Sequence, residues 1–129
     1  MGSSLGVKPI TSFFGSFRFA FQGIATAFRE GRNIRVQALI ALLACILGFC
    51  FRIDPLSWIA LLLCIGAVLS AECVNTALED LVDLVSPQYH PLAKSVKDMA
   101  AGAVLILSLV SCAVGIIIFG TALMPFLGI

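Results

Sequence analysis

Three acidic side chains recur along one apolar stretch of the chain, in a spacing that could support chemistry. Glu72, Glu79 and Asp83 follow one another at intervals of seven and four residues. At about 100° per helical residue, Glu79 and Asp83 each project within about 20° of Glu72, and Asn75 lies about 60° to one side. Such a stripe can bind a divalent cation or accept a proton.

Glu72, the first carboxylate of the stripe, is expected near the edge of the membrane's hydrocarbon core. An apolar run extends from Leu56 to Ala71, and Glu72 lies about 24 Å along the helix from Leu56. The hydrocarbon core is about 30 Å thick, so Glu72 is expected near its edge, where a lipid hydroxyl lies. We therefore predict Glu72 as general base, Asn75 as the residue that orients the hydroxyl, and Glu79 as a Mg²⁺ ligand.

The composition places these residues in a membrane protein. The chain has 129 residues, of which 60% are hydrophobic and 12% charged, and its mean hydropathy is +1.11. The charged share is about half that of a soluble domain. A net charge of +1 argues against nucleic acid as a partner. We predict a single all-α integral-membrane domain spanning residues 1–129.

Apolar runs and helix breakers divide the chain into four helices. Asp54 suits an N-cap and Pro55 a first turn, whereas the two prolines of segment 86–91 must end a helix. The predicted elements are a surface helix over about 10–30 and membrane helices over about 34–52, 55–85 and 94–120, the second including an extension beyond the membrane.

The first of these helices is expected to lie on the membrane surface. Aromatic residues recur in it at helical spacing, at Phe13, Phe17, Phe21 and Phe28. No apolar run in the first 35 residues is long enough for a signal peptide, so the N-terminus is expected to be retained. The five cysteines lie in apolar stretches without a CxxC pair and are predicted to be free thiols.

Basic residues predict the orientation. Only Arg52 lies between the first two membrane helices, and the other seven lie on the opposite side: Lys8, Arg18, Arg29, Arg32, Arg35, Lys94 and Lys97. Because basic residues concentrate on the cytoplasmic side, the N-terminus, the second loop and the active site are predicted to be cytoplasmic.

Charged residues across the second loop extend the predicted site. Lys97 and Asp98 lie at about the depth of the carboxylates and could offer a positive charge for phosphate and a further carboxylate. Asp80 is interpreted as part of a solvated face, and His90 as a loop residue, since the chain has no second histidine. The chain lacks the glycine-rich phosphate loops of soluble nucleotide-binding folds.

The string Glu72-Cys-Val-Asn-Thr-Ala-Leu-Glu79, followed by Lys97-Asp98, resembles the prokaryotic diacylglycerol kinase family. The stretch 84–94, Leu-Val-Ser-Pro-Gln-Tyr-His-Pro-Leu-Ala-Lys, resembles the Gram-positive undecaprenol kinase branch of that family. The resemblance covers nearly the whole chain. It implies transfer of the ATP γ-phosphate to a membrane alcohol by a homotrimer in the bacterial cytoplasmic membrane.

The resemblance also implies roles by position. Glu72 matches the proposed base, Asn75 an active-site polar residue and Glu79 a Mg²⁺ ligand. Positions that match nucleotide contacts are Gln88, Tyr89, His90, Lys97 and Asp98.

One departure from the family concerns the metal. The family usually has a second metal-binding glutamate directly before the Arg32-Asn33 pair, where this chain has Gly31. Glu30, one position earlier, is the alternative ligand. Gln37 stands where many relatives have histidine.

Alternatives remain open at this point. The resemblance favours undecaprenol as the acceptor, and diacylglycerol is the runner-up. Intramembrane carboxylates also mark ion and substrate routes, so a small transporter is a rival from another class. A third alternative is a noncatalytic membrane subunit that has lost metal binding with the change at Gly31.

Overall fold

A computed structural model describes residues 9–129, with side chains from residue 13 onward, so Lys8 lies outside the described residues. Within that range the chain is entirely helical, as predicted. Its elements are α1 (Pro9–Glu30), α2 (Arg32–Cys50), α3 (Pro55–Val85), α4 (Pro91–Leu123) and a 3-10 helix (Met124–Leu127).

Three of the helices are long and apolar enough to cross a membrane, which confirms the predicted fold class. They are α2, α3, and α4 with its 3-10 extension. The 31 residues of α3 rise about 46 Å, whereas the hydrocarbon core is about 30 Å thick. About one third of α3 therefore exceeds the thickness of that core, and the acidic stripe runs from Glu72, near the edge of the core, through this third to Asp83.

A tight corner joins α2 to α3. Arg52 adopts a left-handed conformation, with φ of 52°, just past the end of α2. The Ile53 amide donates to the Gly48 carbonyl at 3.1 Å, which closes the last turn. Asp54 is the N-cap of α3 and accepts a hydrogen bond from Ser57 Oγ at 2.5 Å. The two helices therefore run antiparallel.

The connection from α3 to α4 is equally short. Helix α3 ends at Val85, and α4 begins at Pro91, whose missing amide hydrogen is not needed in a first turn. His90 is the N-cap of α4, where its Nδ1 accepts from the Leu92 amide at 3.0 Å. This five-residue segment, 86–90, sets the register between the two helices.

Packing within the chain is sparse. The most extensive contact is between α3 and α4, and α2 packs on α3 less closely. Gln37 Nε2 on α2 donates to Ser108 Oγ on α4 at 3.5 Å. Among the described residues the buried apolar side chains are Ala27, Ile34, Leu61, Val68, Val104 and Ile118. Most apolar side chains are exposed, as expected where lipid or another subunit replaces water.

Helix α1 leaves its aromatic side chains uncovered. Phe13, Phe17 and Phe21 are more than half exposed, whereas Ala27, near the end of α1, is buried. The helix contacts α2 and α3. An amphipathic helix with a bare apolar face suits the membrane interface.

The α2–α3 corner predicts a contrast between two glycines. A Cβ at Gly48 would lie 2.8 and 2.9 Å from ring atoms of Trp58, whereas a Cβ at Gly66 would have no neighbour within 4 Å. We expect Gly48→Ala to lower the free energy of unfolding by about 1–3 kcal/mol, and Gly66→Ala to raise it by up to about 1 kcal/mol. Thermal unfolding in detergent micelles measures both, and equal midpoints would contradict this packing.

Candidate active site

Two polar residues of α3, Glu72 and Asn75, are buried within the protein. Glu72 retains 4% of its exposure and Asn75 retains 7%. They lie one helical turn apart, so both side chains occupy one face of α3. Burying a carboxylate and an amide at this depth is costly unless they serve a ligand or partner.

Asn75 contacts Glu79, the next carboxylate along the stripe. Its Nδ2 donates to Glu79 Oε1 at 3.2 Å, while its Oδ1 is buried without a hydrogen-bond partner. Glu72 and Glu79 also lie close enough for their charges to repel. The predicted stripe is therefore a physical cluster, with one acceptor atom unused.

Helix α4 brings positive charge to this cluster. Lys97 Nζ contacts Asp83 Oδ1 at 2.5 Å, which ties α4 to α3 across the loop, and it also interacts with the charge of Glu79. Lys97 therefore lies beside the acidic stripe. Asp98 instead forms an ion pair with Lys94, at 2.5 Å.

Segment 86–90 forms a cleft beside that ion pair. Gln88, Tyr89, His90 and Lys97 all line an open cavity of about 390 Å³. Asp98 lines a neighbouring cavity of about 460 Å³, into which Tyr89 and Lys94 also project. The five predicted nucleotide contacts thus lie around two adjoining depressions.

A second acidic contact was not anticipated from the sequence. Asp80, interpreted there as a solvated residue, lies against Glu30 at the end of α1. A hydrogen bond to the Asp80 carboxyl, together with its charge, raises the pKa of Glu30. Glu30, the alternative metal ligand, thus reaches the acidic stripe through Asp80.

Close packing accounts for glycine at position 31. Gly31 is the N-cap of α2, and a Cβ there would lie 2.8 Å from the Ala27 carbonyl oxygen and 3.4 Å from Thr76 Oγ1 of α3. A glutamate at this position would require the backbone of the α1–α2 corner itself to shift, because its Cβ would meet Ala27 and Ile34 first. This chain therefore presents Glu30 rather than residue 31 to the stripe.

Residues 18–119 match the sequence profile of the family described as prokaryotic diacylglycerol kinase. The chain belongs to the prokaryotic diacylglycerol kinase family. This membership confirms the family that the motif indicated, and it makes the protein a membrane lipid kinase.

Individual relatives of this kinase cover most of its length. It is 41% identical to the undecaprenol kinase of Bacillus subtilis over 112 residues, which are 87% of this chain and 91% of the relative. It is 37% identical to a diacylglycerol kinase of Synechocystis, covering 85% of this chain and 61% of the relative. Against the diacylglycerol kinase of Escherichia coli the identity is 28%, with coverage of 72% and 76%.

The acidic side chains of this kinase suit a metal ion whose coordination shell is completed by substrate and water. Within the described residues no three acidic, histidine or cysteine side chains form a ready metal site. Glu30 and Asp80 nevertheless meet as like charges. Mg²⁺ typically takes one or two protein carboxylates and completes its shell with phosphate oxygens and water. The acidic side chains fit Mg²⁺ in that form, with Glu79 or the Glu30–Asp80 pair as ligands.

The Glu30–Asp80 contact predicts a pH dependence. A raised pKa means that the folded state holds the Glu30 proton more tightly than the unfolded chain does. The resulting stability is present below the ordinary glutamate pKa and is lost as pH rises through the raised value. Asp80→Asn should flatten this fall and raise the unfolding midpoint at pH 8. Thermal unfolding in micelles between pH 4 and pH 8 measures it.

Asp54→Asn is a matched control of opposite sign. The hydrogen bond from Ser57 lowers the pKa of Asp54, so its stabilising effect is present at neutral pH and lost in acid. This variant should lose stability at pH 8.

Added Mg²⁺ should raise the thermal unfolding midpoint of the wild type more than that of Asp80→Asn. Equal shifts would argue against a cation at the Glu30–Asp80 pair.

Proposed function

We propose that this kinase transfers the γ-phosphate of ATP to undecaprenol at the cytoplasmic face of the membrane. The observation that carries the site is the buried Glu72 carboxylate beside the buried Asn75 amide. A carboxylate held near the edge of the hydrocarbon core can meet a lipid hydroxyl, which a water-exposed carboxylate cannot.

The reaction requires one base and a defined approach. The hydroxyl oxygen bonds to the γ-phosphorus as the bond from that phosphorus to the β,γ-bridging oxygen breaks. ADP leaves with the bonding electrons, and the hydroxyl proton passes to Glu72. Such transfers depend on positioning and on charge neutralisation rather than on protein covalent chemistry.

The nucleotide is assigned to the cleft at segment 86–90. Lys97 is placed to neutralise phosphate charge once it exchanges Asp83 for the nucleotide. Glu79, with Glu30 and Asp80 nearby, would hold Mg²⁺, which when bound neutralises charge on the phosphates. About 10 Å along the axis of α3 separates Glu79 from Glu72, so phosphate and acceptor approach from opposite ends of the stripe.

Orientation and assembly complete the proposal. The distribution of basic residues supports a cytoplasmic site. A homotrimer is supported by the extensive exposed apolar surface and by small residues along α4, which allow close approach of helices: Ala100, Ala101, Gly102, Ala103, Ser108, Ser111 and Gly115.

Two acceptors are supported by the relatives. The Bacillus subtilis relative, matched over 91% of its length, is an undecaprenol kinase. The Synechocystis and Escherichia coli relatives are diacylglycerol kinases. We favour undecaprenol because of the extent of the first match, and diacylglycerol is the second candidate.

Transfer of radiolabel from ATP to each lipid tests the proposal. Wild-type protein with Mg²⁺ should label undecaprenol more efficiently than diacylglycerol. Glu72→Gln keeps the size of the side chain but cannot take up the proton, so turnover should fall by about 10²–10⁴-fold.

Asp54→Asn, an acid-to-amide change at the opposite end of α3, should leave turnover unchanged. Near-normal turnover of Glu72→Gln would overturn the assignment of the base. Absence of label from both lipids with the wild type would overturn the acceptors proposed here.

A further inference from the structure

A cavity lies at the end of the molecule opposite the acidic stripe. It encloses about 380 Å³ between the α2–α3 corner and the end of α4, and charged, polar and apolar side chains all line it, among them Arg52, Asp54, Ser57, Ile117, Thr121 and Phe126. We name it the corner cavity. It is remote from the catalytic residues, because about 27 Å along the α3 axis separates Asp54 from Glu72.

The corner cavity lies at the depth of the lipid headgroups. The hydrocarbon core is about 30 Å thick, so a helix that places Glu72 near one edge of the core places Asp54 near the other. Aromatic rings gather at this level, as they do at membrane interfaces: the ring centroids of Phe49 and Trp58 are 4.8 Å apart. A lipid of the leaflet opposite the acidic stripe can therefore reach the cavity with its headgroup.

Arg52 occupies a backbone conformation that favours glycine. Its φ is 52°, and it is the one residue other than glycine with a positive φ among the described residues. Within that part of the chain its side chain makes no hydrogen bond or ion pair. A guanidinium presents its N–H donors in a planar fork that fits a phosphate group. The corner therefore holds a strained residue whose donors are free for a ligand.

Asp54 brings the opposite charge to the same cavity. Its Oδ1 accepts from Ser57 Oγ at 2.5 Å, and the residue remains exposed. This hydrogen bond lowers the pKa of Asp54, so the carboxylate is ionised at neutral pH. Although Arg52 and Asp54 are only two positions apart, they form no ion pair with each other. The corner cavity therefore presents one positive and one negative charge that are held apart.

We propose that the corner cavity binds the headgroup of a zwitterionic aminophospholipid, with its phosphate on the Arg52 guanidinium and its ammonium on the Asp54 carboxylate. Phosphoethanolamine carries these two charges at the ends of an ethylene link. The acyl chains would leave the cavity past Ile117 and enter the bilayer. This lipid takes no part in phosphate transfer, so the proposal does not depend on which alcohol the kinase phosphorylates.

The pair of charges favours this headgroup over others that reach the same depth. Phosphatidylglycerol could pair with Arg52, but it would bring a net negative charge beside Asp54 without an ammonium to balance it. Phosphatidylcholine carries both charges, but its trimethylated nitrogen has no hydrogen to donate to the carboxylate. A primary ammonium is therefore the group that distinguishes the expected ligand.

A bound headgroup would connect the ends of three helices. Arg52 and Asp54 lie at the α2–α3 corner, whereas the opposite wall of the cavity belongs to α4 and the 3-10 helix. The Phe51 ring already packs against Phe119 and Phe126, with centroids 6.4 and 5.7 Å apart. A lipid between the two walls adds to this contact. Because it binds only the folded chain, it should raise the unfolding midpoint.

Lipid binding by the full chain in detergent micelles tests the proposal. Delipidated protein is titrated with phosphatidylethanolamine, phosphatidylglycerol or phosphatidylcholine. Native mass spectrometry counts the lipid bound, and thermal unfolding is measured in parallel. The wild type should bind phosphatidylethanolamine in preference to the other two, with a rise in midpoint. Arg52→Gln should weaken this binding by about tenfold or more, because charge-assisted hydrogen bonds to the phosphate are lost. Arg32→Gln, the same change at an exposed arginine of the opposite end of α2, should match the wild type.

Two further variants separate lipid binding from folding. Arg52→Gly removes the guanidinium and suits the left-handed backbone. Without lipid its unfolding midpoint should equal or exceed that of the wild type, and added phosphatidylethanolamine should no longer raise it. Asp54→Asn removes the negative charge but still suits an N-cap. It should lose the preference for phosphatidylethanolamine over phosphatidylglycerol while its turnover stays unchanged.

Three results would overturn the proposal. The first is equal affinity of the wild type and Arg52→Gln for phosphatidylethanolamine, and the second is equal affinity of the wild type for phosphatidylglycerol. The third is a midpoint raised as much by soluble phosphoethanolamine as by the lipid at equal concentration, which would assign the cavity to a solute. A loss of oligomer mass for Arg52→Gln, with the lipid bound per chain unchanged, would instead place a second copy of the chain in the cavity.

Discussion

The proposed reaction depends on holding the Glu72 carboxylate near the boundary between hydrocarbon and water. A fully solvated carboxylate would lie too far from a membrane alcohol, and one at the bilayer centre would be prohibitively costly to ionise. Helix α3 meets this constraint by its length, because it crosses the membrane and continues beyond it. The amide of Asn75, one turn away, continues the polar face toward Glu79. The nucleotide phosphates can then bind at the solvent-exposed end of the stripe, and the lipid acceptor at its buried end.

The other helices add charged residues to those of α3. Helix α4 runs beside α3 and contributes Lys97, whose ion pair with Asp83 fixes the two helices where the nucleotide is proposed to bind. Helix α1 brings Glu30 to Asp80. Glycine at position 31 lets the α1–α2 corner turn closely against the Ala27 carbonyl. The chain therefore assembles its charges from three helices with few buried apolar contacts, as expected where lipid or neighbouring subunits cover the remainder.

Much of this arrangement could be predicted from the sequence. Hydropathy and prolines identified three membrane helices and the helix that precedes them, and a 100° rotation placed Glu72, Glu79 and Asp83 on one stripe with Asn75 beside it. The Glu30–Asp80 contact could not be predicted, because it depends on how α1 folds back against α3, which no local pattern encodes. The ion-pair partners of Lys97 and Asp98 could not be predicted either. Both are set by the register of α3 and α4, and that register depends on the conformation of segment 86–90, including the cap at His90.

The proposed reaction assigns separate roles to two glutamates. Glu72, which is buried, receives the alcohol, and Glu79, which is exposed, binds the metal nucleotide. The chain has only three glutamates, Glu30, Glu72 and Glu79, so ¹³C labelling of glutamate carboxyls gives three resonances by solid-state NMR in bilayers. Undecaprenol alone is expected to shift the Glu72 resonance, and Mg²⁺ with a non-hydrolysable ATP analogue is expected to shift that of Glu79. A Glu72 resonance that is unchanged by the alcohol, or a Glu79 resonance that is unchanged by the metal nucleotide, would overturn these assignments.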